Sequence, residues 1–237
     1  MSKAPHLKAA PPTRMATALS TKALLVEAGE RLFGERGIDG ASLREITAEA
    51  GQSNSNVVQY HFGDKAGLIS AILADRVARI EHVRAMQLVL LDDAERPDPR
   101  MVLKVLWIPL MSIRDASGGH PFCRFMLQYM LHPRLTRHPL TSAYSYLGGP
   151  DETEDDTPSM GKTARLLFQA YADVPKELIV KRLSALVTMF LASVVEYDNA
   201  QRLAEGGPAA PYDIDPMLDM AVAALGAPAH PVSRGPR

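Results

Sequence analysis

Residues 42 to 65 constrain this chain more than any other stretch, because they encode two short helices joined by a fixed turn. Ser42-x-x-Glu45 is a capping box, in which the hydroxyl accepts from a free backbone N–H and the carboxylate reaches back to another. Leu43, Ile46 and Ala50 fall at helical spacing and form one buried stripe, with Ala48 a further small apolar residue. Gly51 stops the helix where the backbone must turn. Ser53 is placed to cap a second helix running to about Phe62. Within it only Val57, Val58 and Tyr60 suit burial, leaving Asn54, Ser55, Asn56, Gln59 and His61 for an outer face. A capped helix, a glycine turn and an amide-bearing second helix spell a helix-turn-helix. Such a second helix fits a DNA major groove, where amides pair bidentately with adenine and hydroxyls reach bases or phosphates.

The segment from Ser20 to Ile72 resembles the N-terminal domain of the TetR family of transcriptional repressors. The likeness is carried by Ala28, Leu32-Phe33 and Gly37, by Ser42-Leu43-Arg44-Glu45-Ile46 and Ala50-Gly51, and by Tyr60-His61-Phe62-Gly63-Asp64-Lys65 with Leu68. Two features depart from the family pattern. The span from Gly51 to Phe62 is one residue longer than usual, and Gln59 stands where many members carry a phosphate-contacting tyrosine, with Tyr60 beside it. The resemblance implies an all-α chain: a three-helix DNA-binding domain followed by a larger helical ligand-binding and dimerisation domain. It also implies a homodimer on a palindromic double-stranded DNA operator, released by a small-molecule effector.

Charge argues for local rather than global attraction to DNA. The net charge is −1, whereas dedicated nucleic-acid modules are usually basic. From Ser20 to Gly67 the basic residues Lys22, Arg31, Arg36, Arg44 and Lys65 are outnumbered by Glu27, Glu30, Glu35, Asp39, Glu45, Glu49 and Asp64. Arg44 and Lys65 sit at helix starts, where free N–H groups add to phosphate attraction. The DNA-facing set is therefore Arg44, Ser53, Asn54, Ser55, Asn56, Gln59, Tyr60, His61 and Lys65. The leader, with Lys3, Lys8 and Arg14 and no acid, reads as disordered, with a minor-groove arm as the alternative.

Helical patterns fill the rest. A disordered arm occupies 1–19, the DNA-binding domain 20–66 with its motif at about 43–62, the effector-binding and dimerisation domain 67–226, and a disordered tail 227–237. The first helix spans about Thr21 to Arg36, and Asp64 caps a fourth that reaches about Leu91. A fifth covers about Arg100 to Ala116, kinked at Pro109. Pro121 opens a sixth. Residues 133–158, with Pro133, Pro139, Gly148-Gly149-Pro150 and an acidic run from Asp151 to Asp156, read as an exposed loop. A seventh runs from about Ser159 to Ala172, an eighth from Pro175 to about Ala204, and a last from Asp213 or Asp215 to Leu225.

The eighth helix is apolar around much of its circumference, so more than one side must be covered. A second subunit would cover the outer side through Leu186, Phe190, Val194, Tyr197, Met217, Met220 and Leu225. Aromatic and methionine residues of the middle helices suggest a lipophilic effector pocket of Trp107, Met111, Phe122, Phe125, Met126, Tyr129, Phe168, Tyr171 and Met189, since pockets are lined by such groups. Plain core is the competing reading of each.

No run is read as long enough to span a membrane, and no secretory core is evident. One cysteine, Cys123, excludes an intrachain disulfide, so a cytoplasmic setting is expected. His120-x-x-Cys123 with His132 and His138 is a poor zinc set, because about four ligands must converge; no metal or cofactor is expected. No nucleophile elbow, phosphate loop or paired-carboxylate pattern points to an enzyme. Two alternatives to a DNA-binding regulator are a helical protein-interaction module whose helix-turn-helix no longer binds DNA and a small helical enzyme.

Overall fold

The computed structural model describes residues 20–54, 56–89, 91, 97–133, 158–204 and 210–228. Among these the chain forms nine helices and no strand. The arm, the acidic run and the tail beyond Pro228 lie outside the described residues, as does Ser55. Ala227 and Pro228, assigned by sequence to the disordered tail, are held by the Arg182 guanidinium, which donates to both carbonyls.

Local chemistry sets the first four helices. Ser20 caps α1 (Thr21–Arg36) by accepting from the Ala23 N–H at 3.2 Å. Ser42 caps α2 (Leu43–Glu49), and both halves of the box are present: the Glu45 N–H donates to the Ser42 hydroxyl at 3.2 Å and the Ser42 N–H to the Glu45 carboxylate at 2.9 Å. Gly51 follows with φ +69°, a left-handed conformation that costs little only without a Cβ. A third helix, α3, spans Val57–Phe62, and α4 spans Lys65–Leu88, capped by Asp64, which accepts from Gly67 at 2.8 Å. The expected division at 66/67 falls in the first turn of α4, so this helix belongs to both parts.

Proline and aspartate set the next boundaries. Asp98 caps α5 (Pro99–Met111), with Pro99 in the first turn, where its missing N–H costs nothing. Sequence reasoning carries this helix on to Ala116 with a kink; it ends at Met111 instead. Just past Pro109 the Ser112 N–H and hydroxyl both turn back to the Pro109 carbonyl, at 3.2 and 2.6 Å, closing the last turn in place of a continued helix. Pro121 opens α6 (Pro121–Leu131), and α7 (Pro158–Ala170), α8 (Lys176–Leu203) and α9 (Asp215–Gly226) complete the set.

Packing ties the N-terminal helices to the rest. α1 lies against α6 as well as against α2 and α4; α4 continues onto α5 and α7; α8 packs on α6 and α9. Close approach of α1 requires two glycines. A Cβ on Gly29 would come within 3.1 Å of the Leu68 side chain, and one on Gly34 within 3.2 Å of the Phe125 backbone nitrogen. An aromatic file, Phe33–Phe125–Tyr129 with Phe122 beside it, runs across the α1–α6 contact at centroid spacings of 5.9 to 6.4 Å. Such spacings favour offset or tilted ring contacts beyond simple burial.

One reading of the sequence is corrected. α8 contains an 18-residue window of mean hydropathy 1.9, long and apolar enough to cross a membrane by length and composition. The fold assigns that apolarity otherwise: Ile179, Leu183, Leu186, Phe190, Leu191 and Val194 are buried against the rest of the chain, and Asp198 is buried in hydrogen bonds with His120.

Candidate functional site

The helix-turn-helix presents one outward face. Val58 is fully buried, and Val57 and Phe62 pack against the core, so the opposite side of α3 faces away. Asn56, Gln59 and Tyr60 stand on that side at i, i+3 and i+4, which are neighbours on a helix surface. All three are exposed, Tyr60 at 84%. His61 is half-buried and meets the Tyr60 ring edge-on at 4.9 Å.

The start of α3 differs from the sequence expectation. Ser53 does not cap it, because the helix begins only at Val57, and Asn56 at the cap position makes no side-chain cap bond. The Asn54 carboxamide instead accepts from the Asn56 N–H at 3.0 Å, closing an Asx turn ahead of the helix. Ser53 and Asn54 are thus exposed residues of the turn, not of the helix face.

The basic residues divide. Arg44 is exposed at the start of α2. Lys65 is not outward: its ammonium donates to the Ile38 carbonyl at 2.9 Å and lies 5.8 Å from the Phe33 ring centroid. It pins the α1–α2 connection to α4, so its charge is engaged inside the domain. Glu45 accepts from the Ser42 N–H and hydroxyl and pairs with Arg36 at 2.6 Å. The Ser42 hydrogen bonds, with Arg36 adding to them, hold the Glu45 carboxyl below its usual range.

Behind the motif lies a buried ion pair that no local residue pattern signals. Arg76 of α4 donates from Nε and Nη2 to the two Glu30 oxygens of α1, at 2.8 and 2.6 Å, with the two side chains 5% and 3% exposed. Burial pushes the Glu30 carboxyl up, and the bidentate guanidinium only partly offsets this. Spacing within one helix could not reveal a pair 46 residues apart.

The proposed pocket lining is largely solid interior. Trp107, Phe122, Phe125, Met126, Tyr129 and Tyr171 are buried. Trp107 stacks on Phe190 at 4.8 Å, and the Tyr171 hydroxyl donates to the Val222 carbonyl at 3.2 Å. Met111 and Phe168 are half-buried, with the Lys176 ammonium 5.2 Å from the Phe168 ring centroid. Met189 departs from the expectation: at 49% exposed it faces out of α8, one position from fully buried Phe190. Two open cavities, of about 620 and 650 Å3, lie elsewhere along α4, and none of these nine residues lines either.

The residues assigned to a subunit contact also divide. Leu186, Phe190, Val194, Met217 and Leu225 are already covered by their own chain. Tyr197 is half-buried and donates to the Ala210 carbonyl at 2.8 Å; Met220 is 47% exposed. The outer face of α8 and α9 is built instead of Ala185, Met189, Ala192, Met220 and Ala223, with Val195 half-buried. Side-chain type alone could not separate these faces on helices apolar around most of their girth.

His120 and Cys123 form no metal cluster. The His120 N–H and ring Nδ1 both meet the Asp198 carboxylate at 2.8 Å, and the Cys123 thiol donates to the Leu110 carbonyl at 3.5 Å. No group of three metal-type ligands occurs among the described residues.

Residues 25–72 match the model of the bacterial regulatory proteins of the tetR family. Among solved structures, a putative tetR family transcription regulator from Shewanella sp. PV-4 superposes with TM-score 0.55 at 17% identity, over 87% of this chain and 96% of that one. A TetR-family transcriptional regulator from Pectobacterium atrosepticum is 24% identical over 86% of this chain and 90% of its own, with TM-score 0.30. A TetR-family regulator from Streptomyces coelicolor A3 gives 16% identity, 73% and 94% coverage and TM-score 0.34. No curated protein matches the chain.

Proposed function

We propose, because residues 25–72 match the model of the bacterial regulatory proteins of the tetR family, that the chain is a transcriptional repressor that reads a palindromic DNA operator as a homodimer. The observation that carries this reading is the exposed face of Asn56, Gln59 and Tyr60, held outward by a capped α2, a left-handed Gly51 and fully buried Val58. The Asn56 and Gln59 amides have the chemistry for adenine edges. The Tyr60 hydroxyl and the exposed Arg44 suit flanking phosphates, and Ser53, Asn54 and His61 border the same surface. Lys65 supports this surface from within. Two copies would set their α3 helices about 34–36 Å apart to meet successive major grooves. The outer face of α8 and α9, with Met189 and Met220, is the surface for that pairing.

Release would follow a population shift: an effector that favours one setting of α4 over another changes the spacing of the two heads. We keep the helical domain over 67–226 as the effector-binding part and a cytoplasmic regulator, not an enzyme, as the functional class. The test is selection of bound sequences from random duplexes, followed by mobility shift across a salt series. Cognate affinity should fall as salt rises, through counterion release. Asn56→Ala and Gln59→Ala should each reduce discrimination by about 1–3 kcal/mol, whereas Arg44→Ala should weaken all sequences alike. Failure to enrich any inverted repeat would overturn the proposal.

A further inference from the structure

The two open cavities sit side by side along α4 and share Arg79, Ile113 and Arg114. The reach of about 620 Å3 also takes in α1, the end of α2 and the segment Ile113–Pro121, so it is lined from both the N-terminal helices and the body behind them. Leu24, Ala28, Ala50 and Ile113 give it apolar patches among charged walls.

Most of those charges are already engaged. Arg31 pairs with Glu49 and Arg76 with Glu30. The Asp115 carboxylate accepts from the Ser117 N–H at 2.9 Å, the Ser117 hydroxyl at 2.6 Å and the Gly119 N–H at 2.9 Å. Three charges remain. Glu27 is exposed and makes no ion pair or hydrogen bond among the described residues. Among the described residues, Arg79, whose side chain is 60% exposed, is held only through Nε at 3.3 Å, by an Asp75 that Arg76 also uses at 2.8 Å. Among the described residues Arg114 reaches only the Gly118 carbonyl, at 3.4 Å. The cleft therefore offers two under-used guanidinium groups and one free carboxylate beside an apolar floor.

We propose that this cleft binds a small amphoteric organic acid of the amino-dicarboxylate class. Its two carboxylates would engage Arg79 and Arg114, whose planar forks favour such partners. Its ammonium would face Glu27, and its short methylene chain would lie over Ile113. Because α1, α4 and the Ile113–Pro121 segment all line the cavity, an occupant would bridge the DNA-binding head to the body, and its differential affinity would bias their relative setting. This site is separate from the aromatic interior and does not depend on the operator reading.

Calorimetric titration of the full chain at fixed ionic strength tests it with three probes: L-glutamate, glutarate and 1,5-diaminopentane. L-Glutamate should bind saturably, glutarate about tenfold more weakly for lack of the ammonium, and the diamine not at all. Arg79→Gln with Arg114→Gln should weaken both acids at least about tenfold. Glu27→Gln should bring L-glutamate down to the level of glutarate and leave glutarate unchanged. All three positions are exposed, and circular dichroism of each variant verifies that it folds. Absence of saturable L-glutamate binding, persistence in the double arginine variant, or equal affinity for L-glutamate and glutarate would each overturn the proposal. No DNA enters the assay, so its outcome is independent of the operator experiment.

Discussion

Replacing Arg76 with methionine probes the join between head and body directly. Arg76 and Glu30 are almost wholly buried and share two hydrogen bonds of 2.8 and 2.6 Å. Removing one partner of such a pair costs about 3–5 kcal/mol, because the other charge is left in the interior. For a chain of this size that corresponds to a fall in Tm of about 6–20 °C. The loss should grow with pH. Burial already raises the Glu30 carboxyl, and without the guanidinium nothing offsets that rise. A carboxyl raised in the folded state is accommodated below its ordinary range as the neutral acid. Stability is then lost as pH climbs through the raised value. Arg76→Met should therefore approach the parent protein in mild acid and fall away from it towards neutrality. Glu30→Gln should cost less, since Arg76 keeps Asp75 at 2.8 Å. Glu30→Leu with Arg76→Met should recover most of the loss, as apolar replacement of buried pairs commonly does. Urea unfolding of the four proteins between mild acid and neutrality measures all of this. A cost for Arg76→Met below about 1 kcal/mol, or one independent of pH, would refute the reasoning.

Gly51→Ala should cost about 1 kcal/mol through backbone strain alone, because φ is +69° and nothing lies within 4 Å of the added methyl; urea midpoints check this. Burial would raise the Asp198 carboxyl, but the His120 hydrogen bonds, with Arg124 near, hold it below its ordinary range. Its stabilisation is then complete above that range and lost as pH falls through the lowered value, so Asp198→Asn should remove part of the acid-unfolding slope seen by circular dichroism. Cys123 is fully buried and burial pushes its thiol up; a thiol-reactive chromophore should label it at the rate of unfolding and no faster.

How much of this was legible in the sequence depended on how local the governing physics is. The capping box at Ser42, the stop at Gly51 and the Asp64 cap each involve groups within about four residues, and each stands where spacing placed it. The start of α3 was legible only in part. Ser53 and Asn54 are both good caps by type, but the Asn54 side chain closes a turn onto Asn56 and delays the helix to Val57. Lys65 reads as a phosphate contact by type, yet its ammonium donates to the Ile38 carbonyl, 27 residues earlier in the chain. Side-chain type marks Phe122, Phe125 and Tyr129 as interior without saying whether the interior is hollow. The tilted contact of Phe125 with Phe33, and the stacking of Phe122 and Tyr129 on Phe125, are tertiary facts about where α1 lies.

That placement changes how a signal must travel. A head tethered by α4 alone could pivot about one helix. Here α1 is also pressed on α6, so closely that Gly34 admits no methyl without displacing the Phe125 backbone or the Arg124 side chain. The head is thus held at two places: by α4 through Glu30–Arg76, and by α6 through the aromatic file. Packed interiors change by discrete rearrangement rather than smooth deformation. Any reorientation of Asn56, Gln59 and Tyr60 must then move α1 against α6, or carry α6 with it. The cleft beside Arg79 and Arg114 opens at that junction, between the elements whose relative positions would have to change. A ligand seated there needs no long pathway to the exposed face of α3, because it would touch α1, α4 and the Ile113–Pro121 segment at once.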